Sequence, residues 1–395
     1  MDPMGIISAL ELTMSQNQPH YIFVHGAKLD AFPYPDSCPF KTSRAGEVYK
    51  TLDSMGLLTG RDKSVVIPQQ ATIEELSNYH TKPYLEALQR AGDGEFDMSM
   101  LAMNLNTPDC PVFHGMYEYA TWAAGATLTG ARQILEEKAK VAFNPSGGYH
   151  HAFSEFSGGF CYVNDVVLGC MELADAGKKV LFLDIDVHHC DGVQAAFYDR
   201  ADVMTISMHQ DGRTLFPGTG FVDEIGSGDG EGYCVNVPLP IGMYDKIYLK
   251  AFRAVVLPLI HKYAPDVIVL EAGADTLQGD PLAGFSLTNN VFVEIINNLL
   301  MFSKPILATG GGGYNVENTV RAWSLIWTAL CDEQSDDMMA GMGGVMLETT
   351  EWANGQGLRD RVLIPSDQQK QLVDPVVENV IEQIKKQIFP IHGIS

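Results

Sequence analysis

Short apolar runs alternate with longer amphipathic segments along most of the chain. Six runs rich in β-branched and other apolar residues predict buried strands at 21–24, 140–144, 180–185, 203–208, 267–273 and 305–311. Helical spacing of apolar residues predicts helices at 117–138, 164–176, 245–263, 288–303, 315–330 and 374–388. Parallel strands need a crossover connection, usually a helix, so this alternation predicts an α/β fold with a central, mostly parallel sheet flanked by helices.

One such unit accounts for most of the chain, because no solenoid-period repeat and no Pro- or Ser-rich linker divides it. We therefore expect a single domain over 20–395, preceded by a flexible segment at 1–19. Residues 334–365 are the least periodic part of the sequence. They are expected to form a long excursion before the final helix.

The net charge of the chain limits the kinds of molecule that it is expected to bind. The 395 residues carry a formal net charge of −23 and are 46% hydrophobic, enough to bury a large core. Nucleic acid is excluded as the expected substrate, because affinity for a phosphate backbone comes largely from Lys and Arg. A cationic partner such as a Lys-rich peptide or a polyamine fits better, although an acidic surface more often serves only solubility.

The cysteines and the N-terminal segment indicate the cellular compartment in which the protein is expected. The seven cysteines are odd in number and scattered, with no CxxC pair, so neither a disulfide framework nor a thiolate zinc finger is indicated. The N-terminus lacks a basic segment followed by an apolar core, and no apolar run is long enough to cross a bilayer. We expect a cytoplasmic protein with no membrane partner.

Polar side chains collect where five of the predicted strands end. Open parallel sheets bind ligands beyond the carboxyl ends of their strands, so a site is expected at that edge. The residues that follow the apolar runs there are Tyr149, His150, His151, Asp186, His188, His189, Asp191, His209, Asp275 and Tyr314.

The stretch "LDIDVHHCD" (183–191) suggests a metal site. In an extended segment, alternate side chains face the same way, so Asp186 and His188 can bind one ion together. Catalytic zinc usually takes three protein ligands and leaves one position open, and Asp275 is the candidate for the third. Any one of these residues alone would fit a core or capping role, but a buried cluster of carboxylates and imidazoles is costly unless it is paired or binds metal.

The adjacent His150 and His151 suit proton transfer. A carboxylate bonded to the far ring nitrogen of a histidine fixes its tautomer and raises its basicity. Asp184 and Asp191 are the available carboxylates. The alternative is that both histidines are ordinary turn residues after "PSGG".

The run "GGGGY" (310–314) lacks the Lys-Ser or Lys-Thr of a phosphate-binding loop. Its glycines instead give the backbone freedom to present Tyr314 at the edge of the sheet. A phenol hydroxyl there could donate a hydrogen bond to an oxyanion as it forms. The competing interpretation is a packing tyrosine on a flexible loop.

Five motifs together resemble the zinc-dependent histone deacetylase superfamily over about residues 20–332. They are "PSGGYHHAFSEFSGGFCYVND" (145–165), "LDIDVHHCDGVQAAF" (183–197), "FPGTG" (216–220), "LEAGADTLQGDPL" (270–282) and "GGGGYN" (310–315). The sequence is most similar to the class I branch and its bacterial acetoin-utilisation-type relatives. The resemblance implies an arginase/deacetylase-like fold and hydrolysis of the acetyl amide of N-ε-acetyl-lysine in proteins, with release of acetate and lysine.

The resemblance also implies roles for individual residues. The family's zinc ligands match Asp186, His188 and Asp275. Its catalytic residues match His150, His151, Tyr314, Asp184 and Asp191, with His151 as the general base. Its substrate-binding residues match Asp109, Gly159, Phe160, Phe216 and Leu282. A first structural potassium ion would be bound by Asp184, Asp186, His188, Ser207 and Met208 (the first cation set), and a second by Phe197, Arg200, Val203 and Tyr233 (the second cation set).

Other functions remain open on the sequence. An amidohydrolase acting on acetylpolyamines or another small amide is the nearest alternative. A catalytically silent acyl-lysine binder is disfavoured because every catalytic position is filled. A manganese-dependent ureohydrolase is an alternative that rests on the predicted fold alone, and its usual Asp and His clusters for two metals are incomplete in this sequence.

Overall fold

Within the residues that the computed structural model describes, 20–60, 62–332 and 357–395, eight strands form one parallel sheet. In chain order they are β1 His20–Val24, β2 Lys63–Val66, β3 Ala139–Asn144, β4 Val180–Asp184, β5 Val203–Gln210, β6 Cys234–Leu239, β7 Val267–Glu271 and β8 Ile306–Thr309. Their order across the sheet is β2-β1-β3-β8-β7-β4-β5-β6. The predicted segment 1–19 and most of the predicted excursion 334–365 lie outside the described residues.

Helices cover both faces of the sheet. They are α1 Ser43–Ser54, α2 Ile73–Leu76, α3 Lys82–Gly92, α4 Met116–Leu135, α5 Asp165–Asp175, α6 Asp191–Phe197, α7 Asp245–Ala251, α8 Leu257–Tyr263, α9 Asn290–Leu300, α10 Val316–Leu330 and α11 Asp367–Gln387. A π-helical turn, Phe252–Val256, joins α7 to α8. None of the described helices is long and apolar enough to cross a membrane.

The alternation of side chains along each strand builds two apolar cores. In β4, Val180 and Phe182 pack with the layer of helices α2–α6, whereas Leu181 and Leu183 pack with the opposite layer, α1 and α7–α11. All four side chains are completely buried. A strand buried on both faces reads as a continuous apolar run, which is why the central strands could be predicted.

The predicted α/β class and all six predicted strands are confirmed, but two strands and several helices were not predicted. Strands β2 and β6 were not predicted, nor were helices α1, α2, α3 and α6. The helix predicted at 245–263 is interrupted by the π-helical turn, and α11 begins at Asp367 rather than near residue 374. Ser366 caps this helix by accepting a hydrogen bond from the Gln369 N–H at 3.1 Å.

A row of polar side chains crosses the sheet near the carboxyl ends of six strands. Its members are neighbours in strand register and are Asn144, Thr309, Glu271, Asp184, Ser207 and Asn236. All six are buried, and register-matched residues of parallel strands face the same side. The row therefore marks the boundary between the apolar core and the polar edge that carries the candidate site.

Candidate active site

Asp186 and His188 lie in the segment between β4 and α6, and Asp275 lies in a short turn after β7. One donor atom of each lies within 4.8 Å of the others, and we call these three residues the metal-capable group. His188 Nδ1 is 3.1 Å from Asp186 Oδ1 and 3.0 Å from Asp275 Oδ2. Parallel β4 and β7 are neighbours in the sheet, which brings the segments that follow them together.

Burial and charge act strongly on these groups. Burial raises the pKa of Asp275 to about 7, with the nearby Asp186 carboxylate adding to the effect. Burial opposes a charge on His188, but its hydrogen bonds to Asp186 and Asp275 outweigh burial and raise its pKa to about 10. Carboxylates crowded together in this way are stabilised by a bound cation.

The donor set fits zinc, which favours a mixture of imidazole nitrogen and carboxylate oxygen. Backbone amides hold these carboxylates, since Gly312 N–H donates to Asp186 Oδ2 at 2.6 Å, His188 N–H donates to Asp186 Oδ1 at 2.9 Å and Val187 N–H donates to Asp275 Oδ1 at 3.0 Å. Such outer contacts orient metal ligands. Each carboxylate has one oxygen directed at the His188 ring.

Two histidine–carboxylate pairs lie beside the metal-capable group. His150 Nδ1 is 2.8 Å from Asp184 Oδ2, and His151 Nδ1 is 2.7 Å from Asp191 Oδ1. The Nε2 atoms of the two rings are 3.0 Å apart. Each carboxylate contacts Nδ1, so Nε2 is the atom that each ring turns toward its neighbour and the site.

The two histidines differ in proton affinity. Burial opposes a charge on His150, but the charge and hydrogen bond of Asp184 prevail and raise its pKa to about 9. Burial, followed by the charge of His150, lowers the pKa of His151 well below its ordinary value. His151 is therefore suited to accept a proton and His150 to hold one.

Tyr314 lies at the end of the glycine-rich loop, beside His188. Its ring centroid is 6.2 Å from that of His188 and 5.7 Å from that of Phe160. The buried Arg44 guanidinium donates to the carbonyls of Gly311 and Gly313 at 3.1 and 2.6 Å. Burial raises the pKa of the Tyr314 phenol well above its ordinary value, so the hydroxyl keeps its proton and can act as a donor.

Phe160 and Phe216, two of the residues expected to bind substrate, lie beside Tyr314 and His151, and we call the partly exposed surface next to them the opening. The Phe216 ring lies 4.9 Å from that of His151 and is 47% exposed, whereas Leu282 is 37% exposed. Asp109 is tied to the opposite wall, where its Oδ2 accepts the Gly159 N–H at 3.3 Å and its carbonyl accepts the Phe160 N–H at 2.8 Å.

The two predicted cation sets lie toward opposite ends of β5. Ser207 and Met208 are buried near its carboxyl end, where Ser207 Oγ is 2.8 Å from His209 Nδ1. Val203 begins the strand, and the Arg200 guanidinium lies 5.4 Å from the centroid of the Phe197 ring. The Tyr233 carbonyl accepts the Thr205 N–H at 2.9 Å. Potassium binding by these residues stays a prediction.

Sequence reasoning missed Glu271, which is fully buried beside His150. Glu271 Oε1 lies 3.0 Å from His150 Nδ1, although neither carboxylate oxygen meets hydrogen-bond geometry with any described residue. Burial raises its pKa well above the ordinary value. The available signal was a charged residue inside the otherwise apolar run "VIVLEAG".

The sequence is similar to known histone deacetylases over most of its length. Residues 38–330 match the histone deacetylase domain. The chain is 39% identical to histone deacetylase 8 of Xenopus tropicalis over 316 residues, 78% of this chain and 83% of that protein. It is 40% identical to histone deacetylase 8 of Danio rerio over 292 residues, 74% of this chain and 77% of that protein.

Solved structures show the same similarity. The crystal structure of an HDAC homologue from Aquifex aeolicus superposes with a TM-score of 0.81 at 30% identity, covering 93% of this chain and 100% of that chain. The crystal structure of an HDAC homologue complexed with SAHA gives the same values. The similarity extends over almost all of the fold.

Proposed function

The chain belongs to the histone deacetylase superfamily as a class I-like amidohydrolase, and from this premise we propose that it is a zinc-dependent protein lysine deacetylase. It would hydrolyse the acetyl amide of N-ε-acetyl-lysine and release acetate and lysine. The observation that carries the proposal is the convergence of the metal-capable group, two histidine–aspartate pairs and the half-buried Tyr314 phenol below a partly aromatic opening.

Asp186, His188 and Asp275 would hold the zinc ion. When bound, zinc supplies a Lewis acid that polarises the amide carbonyl and lowers the pKa of water to about 7. The fit rests on the chemistry of two carboxylates and one imidazole and on the backbone amides that orient the carboxylates. We also propose structural potassium ions at the first and second cation sets.

The histidines and Tyr314 would manage protons and charge. His151 accepts a proton from the attacking water at Nε2, while Asp191 at Nδ1 orients the ring and stabilises its protonated form. The hydroxyl of Tyr314 donates a hydrogen bond to the oxyanion of the tetrahedral intermediate. His150, held by Asp184, then donates a proton to the leaving amine nitrogen and recovers one from His151, since the two Nε2 atoms are 3.0 Å apart.

The opening suits an acyl-lysine side chain. The rings of Phe160 and Phe216 would contact the neutral methylene stem, with Gly159 and Leu282 completing the wall and Asp109 holding the substrate backbone. The net charge of −23 favours approach of Lys-rich segments. We propose a deacetylase domain over 20–395 and a cytoplasmic location, which is supported by seven buried, free cysteines.

Acetate release tests the proposal. Zinc-loaded protein is given an acetyl-lysine peptide or acetylputrescine, and kcat/KM is measured for each, with and without a zinc chelator. We expect the peptide to be preferred and the chelator to stop turnover. A preference for acetylputrescine would indicate the small-molecule amidohydrolase instead, and peptide binding without acetate release would indicate a silent binder.

A further inference from the structure

Asp280 joins two separate walls of the candidate site. It lies beyond β7 and is only 9% exposed. Its Oδ2 accepts the backbone N–H of Tyr314 at 2.7 Å, and its Oδ1 accepts the backbone N–H of Leu282 at 2.9 Å. One carboxylate therefore fixes the backbone that carries the phenol and the backbone that carries the exposed Leu282.

We propose that Asp280 is a positioning residue that sets the location of the Tyr314 hydroxyl relative to the acyl-lysine opening. This inference rests on the proposed function, because it concerns the phenol that stabilises the oxyanion. A carboxylate is required, since both oxygens act as acceptors. The amide of an asparagine has one acceptor oxygen, and its NH₂ end would face a backbone N–H.

The glycine-rich loop needs such a constraint. Gly311 and Gly313 have φ angles of 139° and 133°, a region that glycine enters freely and other residues rarely adopt. Arg44 donates to the carbonyls of these two glycines, and Asp280 accepts from the next backbone amide. Asp186 and Ala274 hold the Gly312 backbone of the loop, Arg44 holds the carbonyls on either side of it, and Asp280 holds the Tyr314 amide. Without Asp280, the residue that carries the phenol loses the hydrogen bond to its own backbone N–H.

Gln210 provides a matched comparison. Its Oε1 accepts the Gly284 N–H at 2.9 Å, and its Nε2 donates to Thr214 Oγ1 at 3.1 Å. Gln210 is also buried and also joins two loops of the opening, the one after Leu282 and the one that carries Phe216. Its hydrogen bonds go to neither Tyr314 nor the glycine-rich loop.

The experiment compares Asp280→Asn with Gln210→Met in the full-length, zinc-loaded enzyme. We expect Asp280→Asn to lower kcat roughly 10- to 100-fold, because a displacement of about 1 Å at a reacting group can cost about 100-fold. Zinc content should not change. Gln210→Met, which keeps the side-chain length, should raise KM and leave kcat within about 3-fold of wild type, because only the opening is loosened.

A double variant separates positioning from general loss of structure. If Asp280 acts through the phenol, adding Asp280→Asn to Tyr314→Phe should lower kcat by less than about 2-fold further. Full additivity of the two losses would overturn the inference, as would wild-type kcat in the single Asp280→Asn variant. If Asp280→Asn melts below the assay temperature, Asp280→Glu, which keeps the acceptor-only carboxylate, is used. A Glu variant that folds but is no more active than Tyr314→Phe would also overturn it.

The substrate question is kept apart from the role of Asp280. All variants are assayed on both the acetyl-lysine peptide and acetylputrescine, and kcat ratios are taken within each substrate. A failure of the proposed function is seen in the wild-type preference or in an unimpaired Tyr314→Phe single variant. A failure of the Asp280 inference is seen only in the ratios that involve Asp280.

Discussion

Gly312 leaves no space for a side chain behind the metal-capable group. Its N–H donates to Asp186 Oδ2 at 2.6 Å, and its carbonyl accepts the Ala274 N–H at 2.8 Å, so its backbone is held on both sides. A Cβ atom added here would lie 1.9 Å from Asp275 Oδ2, whereas ordinary contacts begin at 3.4 Å. In Gly312→Ala, the Asp275 oxygen would have to move by the difference, about 1.5 Å.

This displacement is large compared with what a metal site tolerates, which is about 0.2 Å in ligand distance. We therefore expect Gly312→Ala to retain much less zinc than wild type and to lose more than about 100-fold in kcat. Zinc per chain is measured by elemental analysis after dialysis, and turnover is measured with the acetyl-lysine peptide at saturating zinc.

The matched control is Gly26→Ala, the same substitution at a residue whose backbone is extended, with φ −166°. An added Cβ there would meet no atom nearer than 3.3 Å. It should keep wild-type zinc content and activity. Stoichiometric zinc together with wild-type turnover in Gly312→Ala would refute the assignment of Asp186 and Asp275 as ligands held against this loop.

Three further substitutions test other parts of the structure. Tyr314→Phe removes one donor and should lower kcat by about 10²- to 10³-fold with zinc content unchanged, so retained kcat would contradict the oxyanion role. Arg44→Met removes two charge-assisted hydrogen bonds to the glycine-rich loop and should lower the free energy of unfolding by about 2 kcal/mol or more, and an unchanged urea midpoint would count against this. Burial lowers the pKa of His80 from 6.5 to about 3. As the pH falls below about 6.5, the unfolded chain therefore binds a proton at this residue and the folded chain does not. The free energy of unfolding should therefore fall by up to about 1.4 kcal/mol per pH unit there; His80→Gln should remove this part of the slope in urea titrations, and an identical slope would contradict it.

The central strands were predictable because they are buried on both faces. Runs such as "VLFLDI" are continuous apolar stretches that end in polar residues. The edges were not predictable in this way. Strand β2, "KSVV", is only partly buried, and β6, "CVNVPL", is interrupted by Asn236 and Pro238. Proline lacks a backbone N–H and is tolerated in β6 because this strand lies at the edge of the sheet.

The candidate site was predictable where neighbouring residues in the sequence share a strand end. Alternation along 184–188 and the order of a parallel sheet were enough to expect Asp186, His188 and Asp275 in one place, and the structure brings them together. Arg44 could not be found in this way, because it reaches the glycine-rich loop from 267 to 269 positions away. Glu271 could be predicted as a site residue only if β7 was known to lie beside β4, with Glu271 in register with Asp184.

Six strands carry one row of polar side chains near their carboxyl ends, which couples the number of residues that each strand has before the row. A residue inserted into β4 before the row would put Leu183 in the place of Asp184 beside His150, and a deletion would put Ile185 there. Either change also exchanges the two faces of the strand beyond it. Insertions and deletions are therefore expected to be tolerated in the connecting segments and not in these strands. The loops that meet a substrate can thus change in length without shifting the polar row, whereas the inner strands cannot.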